Sequence, residues 1–463
     1  MCGIVAVNGA PKACEAAFLA LYALQHRGQE AAGIYTFNRD DGAHIRKREG
    51  LVGDVFKPWS LAKLTGETAI GHVRYSTAGG GGSDNAQPTT AQFSGGALAL
   101  AHNGNLTNHL TLRKWLVEEG AIFRGTSDSE VLVHLIAKSR HHTPDARLDD
   151  ALQHLEGAFS MVLAINDVVY AARDARGLRP LVLGRLDPGW VVASETCSLD
   201  ILGAEYERDL EPGEVVRFES GRKRPMRSLP PAASSTPCVF EHVYFSRPDS
   251  RIDGRSVDAA RRMMGRRLAR EHPAEADAVI SVPDSANSVA LGYSEESGIS
   301  FELGLLRHHY VGRTFIKPSQ RDRDFAARMK YNTVDEVIAG KRIVVVDDSL
   351  VRGTTSRSLV RMLRAAGASE VHFRIGSPPV RWPCFYGIDM PTRGELIAAT
   401  MEPEEIRARL GVESLAYLSL EGMIEVASNG NSSFCDACFS GNYRAPLVDV
   451  EKGLASAEGP HCN

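Results

Sequence analysis

The sequence predicts an α+β domain followed by an α/β domain with a mainly parallel sheet. In the second half, residues 343–346 form an unbroken β-branched run, which suits a strand buried on both faces of a parallel sheet. The first half carries an Ala- and Leu-rich helical stretch and several short apolar runs that are typical of strands. A basic segment rich in Pro and Ser, residues 221–237, marks the boundary between the halves.

Each element follows from a local pattern. Apolar residues recur at helical spacing in the stretches 11–24, 256–270 and 359–366, which predicts three helices. Strands are predicted at 32–37, 70–77, 98–101, 159–165, 168–172, 181–183, 190–193, 278–282 and 343–346. These elements give a first domain at 2–232, a second at 238–430 and a C-terminal segment at 431–463.

The composition excludes several classes of protein. With 43% apolar and 24% charged residues among 463, the chain resembles an ordinary soluble protein of two or three domains. The net charge of −4 gives no basic field for nucleic acid, and no run of 18 apolar residues predicts a membrane span. No signal pattern opens the chain, so we expect a cytoplasmic protein. In the reducing cytoplasm, the eight cysteines are expected to be ligands, nucleophiles or core residues rather than partners in disulfides.

Cys2 is a candidate nucleophile. Once Met1 is removed, its thiol stands beside its own α-amine, whose ordinary pKa of about 7.7–8.0 lets it act as a base near neutral pH. N-terminal nucleophile hydrolases use this arrangement. While Met1 remains, the amine is an amide and the chemistry is blocked. A buried cysteine in a first strand is the alternative.

Two polar motifs in the first half have both a chemical and a structural interpretation. Asn103 and Gly104 follow an apolar run and offer a side-chain amide and a backbone N–H, the donors of an oxyanion hole. A simple Asn-Gly turn between strands is the alternative. Asp128 lies in a Ser- and Asp-rich stretch before a helix, and helix capping alone would explain it.

An acidic pair and a hydroxylated turn follow the strand at 343–346. Asp347 and Asp348 come where the strand should end, and Ser349 and residues 353–355 precede a helix. Ligands bind at the carboxyl ends of such strands, and a helix N-terminus holds a phosphate. The carboxylates suit sugar hydroxyls, or a metal that bridges to a pyrophosphate. One ligand with all three parts is 5-phosphoribosyl 1-pyrophosphate (PRPP). An ordinary strand–turn–helix unit with a solvated Asp pair is the alternative.

Two further stretches of the second half fit such a ligand. Ser285 follows the predicted strand at 278–282 and is a candidate ligand of Mg²⁺ or pyrophosphate, or a plain helix cap. Residues 310–332 are cationic and lack a strong period. A mobile segment of this kind can close over a leaving group and expel water, whereas a solvated basic helix is the alternative.

Four cysteines of the second half form a candidate metal site. Cys435 and Cys438 have the spacing of metal ligands, and Cys238 and Cys384 are available to complete a set of four. Spacing alone leaves zinc, an iron–sulfur cluster and no metal open.

Five motifs in a fixed order resemble those of the class II glutamine amidotransferases over about residues 2–230. They are Cys2-Gly-Ile, Gln25-His-Arg-Gly, His72-Val-Arg-Tyr-Ser-Thr, His102-Asn-Gly-Asn and Ser127-Asp-Ser-Glu. The resemblance implies the four-layer αββα fold of N-terminal nucleophile hydrolases. It further implies that Cys2 is the nucleophile, that Asn103 and the Gly104 N–H stabilise the oxyanion, that Arg74 binds the glutamine α-carboxylate and that Asp128 binds its α-ammonium.

The stretch 342–355 resembles the PRPP signature of the type I phosphoribosyltransferases. The resemblance implies that Asp347 and Asp348 hold the ribose, directly or through Mg²⁺. It assigns the 5′-phosphate to the residues Ser349, Arg352, Gly353, Thr354 and Thr355. The cationic segment resembles a flexible catalytic loop, whose implied substrate contacts are Arg313, Gln320, Arg328 and Lys330.

The surroundings of the four cysteines look like those of the iron–sulfur branch of the amidophosphoribosyltransferase family. This resemblance implies a structural [4Fe–4S] cluster that pins the C-terminal segment to both domains. It implies the conversion of glutamine, water and PRPP to phosphoribosylamine, glutamate and pyrophosphate, the committing step of purine synthesis, in a homotetramer inhibited by purine nucleotides. Members of that branch often carry a propeptide, whereas here only Met1 precedes Cys2.

Two other functions stay open from the sequence. One is a different class II glutamine amidotransferase, such as an aminosugar or asparagine synthase, against which the Asp347–Asp348 signature argues. The other is a phosphoribosyl-binding regulator with a decayed glutaminase half, against which the intact Cys2, Arg74 and Asn103 argue.

Overall fold

The computed structural model describes residues 1–75, 82–229, 234–308, 329–390, 392–428 and 433–449. Three of the predicted substrate contacts, Arg313, Gln320 and Arg328, lie outside these residues. Among the helices within them, none has both the length and the apolar character needed to cross a membrane.

The first half is built from two antiparallel sheets and their flanking helices. Its strands are β1 Gly3–Asn8, β2 Ala31–Asn38, β3 Gly42–Glu49, β4 Thr68–Arg74, β5 Thr89–Phe93, β6 Gly96–Leu106, β7 Gly157–Ile165, β8 Val168–Arg173, β9 Val182–Arg185, β10 Trp190–Ala193, β11 Glu205–Asp209, β12 Glu214–Glu219 and β13 Arg222–Ser228. Its helices are α1 Ala13–Ala23, α2 Val52–Val55, α3 Pro58–Leu61, α4 His109–Glu118, α5 Glu130–Lys138, α6 Pro144–Leu152 and α7 Cys197–Leu202.

The two sheets pack face to face. One has the order β11-β9-β10-β1-β4-β2-β3 and the other β13-β12-β8-β7-β6-β5. Between them lies an apolar core that includes Ile4, Ile70 and Val162. Helix α1 covers the outer face of the first sheet, and α4, α5 and α6 cover the outer face of the second. The result is the predicted four-layer αββα sandwich.

The predicted linker is shorter than the sequence indicates. Residues 222–228 form β13, an edge strand paired with β12, so only the residues after it can connect the domains. Arg222 and Arg224 are exposed on this edge, where Lys223 pairs with Glu207. Pro225 sits beside a register shift in the pairing, where an edge strand tolerates a residue without an N–H.

The second half contains a parallel sheet with helices on both faces. Its strands are β14 Arg251–Ile252, β15 Arg255–Ser256, β16 Ala278–Ser281, β17 Leu305–Arg307, β18 Tyr331–Thr333, β19 Arg342–Asp347, β20 Glu370–Ile375 and β21 Ser414–Tyr417. Its helices are α8 Val257–Glu271, α9 Asn287–Ser297, α10 Asp335–Ile338, α11 Thr354–Ala365, α12 Ile397–Thr400, α13 Pro403–Leu410, α14 Leu420–Ser428 and α15 Ala437–Ser440.

Strand β19 lies inside the four-stranded parallel sheet, whose order is β16-β19-β20-β21. Val344 and Val346 pack into one apolar core with residues of α8 and α9, whereas Ile343 and Val345 pack into another with residues of α11 and α13. All four residues have no exposed surface. The unbroken apolar run therefore reflects burial on both faces, as predicted.

The C-terminal segment contacts both domains. Cys435 forms a parallel bridge with Cys238 at the start of the second domain. Further along, the Asp449 carboxylate accepts hydrogen bonds from the N–H groups of Leu110 and Thr111 in α4 of the first domain, at 2.7 and 3.1 Å. The C-terminal segment, as far as Asp449, thus also packs against the first domain.

Candidate functional site

Cys2 lies directly before β1, which is an inner strand of the first sheet. Because Gly3 pairs with Val73 of β4, Cys2 stands beside Arg74 and Tyr75. Its backbone N–H donates to Oδ1 of Asn103 at 3.1 Å, and its Sγ lies 3.5 Å from the Tyr75 carbonyl. Cys2 is only partly buried, so it is not a core residue. The alternative of a wholly buried first-strand cysteine is not what the structure has.

Asn103 lies within a continuous strand, since β6 runs from Gly96 to Leu106. The Asn-Gly dipeptide is therefore not a turn. While its Oδ1 accepts the Cys2 N–H, its Nδ2 is buried and has no hydrogen-bond partner among the described residues. A buried amide donor without a partner is costly, which makes it a prepared site for an oxygen with negative charge.

Gly104 could not be another residue without a change in the backbone. Its φ of +150° is in the region that favours glycine, and a Cβ added there would lie 2.0 Å from the Ala158 carbonyl oxygen. A Cβ at Gly387 of the second domain would likewise lie 2.7 Å from the Gly104 carbonyl carbon. The second domain thus packs directly on the backbone of the predicted oxyanion hole.

The two predicted ligands of an amino acid are both buried. Arg74 ends β4, and its Nη1 donates to the carbonyl of Asn85. Asp128 does not cap α5. Its carboxylate accepts from the Leu106 N–H at 2.9 Å instead, on the same strand as Asn103.

Asp128 stays ionised although it is buried. Burial acts to raise the pKa of its carboxyl, but the neighbouring His102 and His109 and the Leu106 N–H more than compensate, so the net shift is downward. His102 Nδ1 lies 3.6 Å from the carboxylate. A fixed negative charge at this position suits an ammonium group, and binding of the glutamine α-ammonium stays a prediction.

The sequence reasoning missed a buried cluster of ion pairs behind Cys2. Arg27 Nε donates to the Cys2 carbonyl at 3.0 Å, and its Nη atoms contact Glu195 and Glu241. Arg27 lies inside one of the motifs that the sequence offers, but nothing local marks either glutamate. Their shared partner, Arg27, lies 168 residues from Glu195 and 214 residues from Glu241 along the chain.

The second candidate site lies at the carboxyl end of β19, about the pair Asp347 and Asp348. Ser285, which follows β16, donates its Oγ hydrogen to Asp348 at 2.5 Å, and Ser349 donates to the other carboxylate oxygen at 2.6 Å. Burial raises the pKa of both aspartates, and the charge of Asp348 raises that of Asp347 further. Two crowded carboxylates of this kind are stabilised by a cation or by hydroxyl donors.

A helix N-terminus faces the same edge of the sheet. Helix α11 starts at Thr354, so Thr354 and Thr355 belong to its first turn. The sequence pattern predicts instead that both residues lie in the loop before the helix. The residue before it, Gly353, has a φ of +72°, and no side chain caps the helix. Its first N–H groups are thus not satisfied by a capping side chain, which suits a phosphate. Arg352, half-exposed, lies 3.5 Å from Glu395.

Lys330 is the one predicted residue of the cationic segment that the structure describes. It directly precedes β18 and keeps contact with solvent. The protein atoms around it and the nearby Arg307 lower the pKa of its ammonium group, while the charges of Asp347 and Asp348 act to raise it. Lys330 therefore lies within electrostatic reach of the acidic pair.

The four predicted cysteine ligands line one small cavity between the domains and the C-terminal segment. Its walls are formed by Leu178, Arg179, Cys238, Cys384, Tyr386, Ile388, Cys435, Ala437, Cys438 and Tyr443. Burial raises the pKa of Cys238 to about 11, although the charge of Arg179 opposes that effect. In the described part of the chain, no three His, Cys, Asp or Glu side chains are close enough to hold a single metal ion. Four thiols spaced around a cavity fit a cluster, in which each thiolate binds a different iron.

Comparison with known proteins gives consistent matches. A family model described as a glutamine amidotransferase domain matches residues 72–200. The chain is 49% identical over 451 residues to amidophosphoribosyltransferase 1, chloroplastic, of Arabidopsis thaliana, covering 97% of this chain and 80% of that protein. It is 47% identical over 450 residues to the amidophosphoribosyltransferase of Bacillus subtilis (strain 168), covering 96% and 94% respectively. The match to the enzyme of that name in Methanothermobacter thermautotrophicus is 46% over 451 residues, covering 96% and 95%.

The fold also matches solved structures over nearly its full length. The glutamine PRPP amidotransferase from B. subtilis, complexed with ADP and GMP, aligns with a TM-score of 0.91 at 45% identity, covering 96% of this chain and 98% of that chain. A structure titled as the allosteric regulatory enzyme of purine biosynthesis aligns with a TM-score of 0.90 at 46% identity, covering 96% of each chain.

Proposed function

The chain belongs to the amidophosphoribosyltransferase family, and we propose that Cys2 and the Asp347–Asp348 pair are the centres of its two half-reactions. The reaction is the family's step in purine biosynthesis, in which glutamine nitrogen replaces the pyrophosphate of PRPP. The observation that carries the proposed division is the placement of Asn103, whose Oδ1 holds the backbone N–H of Cys2 while its buried Nδ2 remains available.

In the first half-reaction, the Cys2 thiol attacks the amide carbon of glutamine. The Cys2 α-amine, freed by removal of Met1, takes the thiol proton, and the Asn103 amide and Gly104 N–H stabilise the oxyanion. Collapse releases ammonia and leaves a thioester, which water hydrolyses to glutamate. Arg74 and Asp128 supply opposite charges for the α-carboxylate and α-ammonium of the substrate.

The surroundings of the chain start favour a neutral amine. Burial, assisted by the positive charges of Arg27 and Arg179 and opposed by Cys2, lowers the pKa of the Met1 α-amine to about 5. After Met1 is removed, the Cys2 amine lies near the same cations. Glu241 opposes the effect of these cations, and we propose that the Cys2 amine is nevertheless unprotonated and acts as the base.

In the second half-reaction, ammonia attacks C1 of the ribose as pyrophosphate leaves. Asp347 and Asp348 hold the ribose hydroxyls, and Ser285 lies beside them where the pyrophosphate would bind. The first turn of α11, with Gly353, holds the 5′-phosphate. Carboxylate and hydroxyl oxygens are the ligands that Mg²⁺ prefers, so these residues fit that ion, which would neutralise charge on the leaving group.

We also propose a [4Fe–4S] cluster held by Cys238, Cys384, Cys435 and Cys438. The thiol-lined cavity is the observation that supports it. Such a cluster would tie the C-terminal segment to both domains, and neither half-reaction needs an electron from it. None of the seven described cysteines forms a disulfide, and we propose a reducing compartment such as the cytoplasm. Purine nucleotides as inhibitors and a homotetrameric state remain proposals from family resemblance.

One experiment tests whether glutamine hydrolysis and phosphoribosyl transfer are separate half-reactions. Pyrophosphate release from PRPP is measured with glutamine, with ammonium salt and with neither, on full-length protein whose loss of Met1 is verified by mass spectrometry. We expect release with either nitrogen source and little with neither. Pyrophosphate release at the same rate with and without a nitrogen source would contradict the proposal.

Asn103→Asp separates the two roles of Asn103. The aspartate keeps an oxygen for the Cys2 nitrogen but loses the amide donor and adds a negative charge beside the oxyanion. We expect the kcat of glutamine hydrolysis to fall roughly 10²–10³-fold, the usual cost of one oxyanion donor. The KM for glutamine should change little, which steady-state kinetics will measure. Asn166→Asp, at a β-turn of the same domain, is the control, and an equal loss there would exclude this role.

The cluster has a spectroscopic test. Protein purified without oxygen should show a broad absorption band near ~400 nm and about four iron atoms per chain. Cys438→Ser should lose both, because it removes one of four ligands, whereas Cys14→Ser on α1 should keep both. A colourless preparation that contains zinc would contradict the cluster.

A further inference from the structure

The buried charges behind Cys2 belong to both domains. Arg27 and Glu195 come from the first, and Glu241 comes from the π-helical turn Glu241–Phe245 that opens the second. Arg179 of the first domain is the fourth member, 3.8 Å from Glu241. None of the four is more than 1% exposed. Two guanidinium and two carboxylate groups balance in charge, which is the condition under which buried ions are tolerated.

Arg27 connects this cluster to the nucleophile. Its Nε donates to the Cys2 carbonyl at 3.0 Å, while Nη1 and Nη2 reach the two carboxylate oxygens of Glu241 at 3.1 and 2.8 Å. Nη1 also reaches Glu195 at 2.5 Å. All three nitrogens of the guanidinium are therefore engaged, so its plane and its Nε direction are fixed. The Cys2 carbonyl is held by a group whose orientation Glu241 and Glu195 fix together.

Glu241 is itself held firmly by its own domain. Ser246 Oγ donates to its Oε2 at 2.8 Å. The Ser246 carbonyl in turn accepts from Arg261 Nη2 at 2.8 Å, and Arg261 lies within electrostatic reach of Asp348. Glu241 is thus held in place by its own domain while its carboxylate bonds to Arg27 of the first domain.

We propose that Glu241 is a positioning residue for the glutaminase nucleophile, acting through Arg27. It fixes the Cys2 backbone so that the amine meets Asn103 Oδ1 and the thiol meets the amide carbon of glutamine. The second domain therefore completes the active site of the first. This inference rests on the proposed role of Cys2, and it assigns to Glu241 no contact with a substrate.

Glu241→Gln tests the proposal with little change in shape. The neutral amide breaks the charge balance and replaces one acceptor by a donor that faces an Arg27 N–H. We expect the kcat of glutamine hydrolysis to fall roughly 10²-fold, the scale of a small misplacement in a reacting group. The KM for glutamine and the ammonia-dependent synthesis should stay within about twofold. Alkylation of Cys2 by iodoacetamide, followed by peptide mass spectrometry, should slow in parallel with kcat.

Two further variants keep the test decisive. Ser246→Ala removes one support of Glu241 but no charge, and should lower only the same kcat, by a smaller factor. Glu271→Gln removes a carboxylate that pairs with Arg267 in the same domain, far from Cys2, and should leave both activities unchanged. If Glu241→Gln fails to fold, Ser246→Ala and the alkylation rate carry the test.

The outcomes separate this inference from the proposed function. Equal losses of glutamine- and ammonia-dependent synthesis in Glu241→Gln would mean a structural role only, and unchanged glutaminase kinetics would exclude any role. Either result overturns the inference while the wild-type protein still uses both nitrogen sources. Failure of the wild-type protein to use glutamine would instead overturn the role of Cys2.

Discussion

Cys2→Ala is expected to abolish synthesis from glutamine and to leave synthesis from ammonia intact. Alanine removes the attacking sulfur but keeps the N-terminal amine and the start of β1. We expect glutamine-dependent pyrophosphate release to fall by at least about 10⁴-fold, as when a covalent nucleophile is lost elsewhere. The ammonia-dependent rate should remain within about twofold, because Asp347 and Asp348 belong to the other domain. Parallel assays with the two nitrogen sources measure both rates.

Cys14→Ala is the matched control for that variant. Its thiol lies buried on α1, where burial raises its pKa to about 12, so it supplies no thiolate near neutral pH. Both activities should persist in this variant. Equal loss of the two activities in Cys2→Ala would contradict the division between two sites.

Asp347→Asn is expected to abolish synthesis from both nitrogen sources. The carboxylate at the end of β19 is proposed to accept ribose hydroxyls or to bind Mg²⁺, and an amide does neither as well. We expect a loss of roughly 10²–10³-fold with glutamine and with ammonia, the size found when a preorganised electrostatic contact is removed. Slow hydrolysis of glutamine in the absence of PRPP should survive. Pyrophosphate release and glutamate formation are measured on the same preparation.

Asp277→Asn provides the control at the opposite end of the same sheet. Asp277 accepts from the backbone and side chain of Arg342, where β19 begins, and faces solvent. Its loss should reduce stability slightly and neither activity. If Asp347→Asn impaired only the glutamine-dependent rate, the acidic pair would not be the site of phosphoribosyl transfer.

Much of the fold followed from local pattern. The run at 343–346 predicted a strand buried on both faces because successive residues point to opposite faces of a sheet, and Val344 and Val345 indeed pack into different cores. Asn103 and Asp128 were recognised as chemical candidates although a turn and a helix cap would each have explained them. The structure excludes both simpler explanations, since β6 continues through Asn103 and Asp128 bonds to Leu106.

The remainder depended on contacts that no local pattern records. The stretch at 222–228 looked like a linker because its basic residues and Pro225 are as common in loops as on an exposed sheet edge. Glu195 and Glu241 gave no signal because a glutamate is ordinarily exposed, and only the distant Arg27 makes its burial tolerable. Thr354 was assigned to a loop because helix boundaries are the least certain part of a sequence pattern.

The crossing of the C-terminal segment back to α4 constrains how the protein matures. Domains fold in the order in which the ribosome delivers them. The αββα half and the parallel sheet can therefore form before residues 435–449 have emerged. In the complete fold, the Asp449 carboxylate accepts from the Leu110 N–H, and Cys435 forms a backbone β-bridge with Cys238. The contacts of the two halves with this segment can form only after residues 435–449 have been synthesised, whereas the contact of Arg27 with Glu241 does not need it. A nascent chain stalled before Cys435 would lack two of the four proposed cluster ligands, Cys435 and Cys438, and the hydrogen bonds of Asp449 to α4.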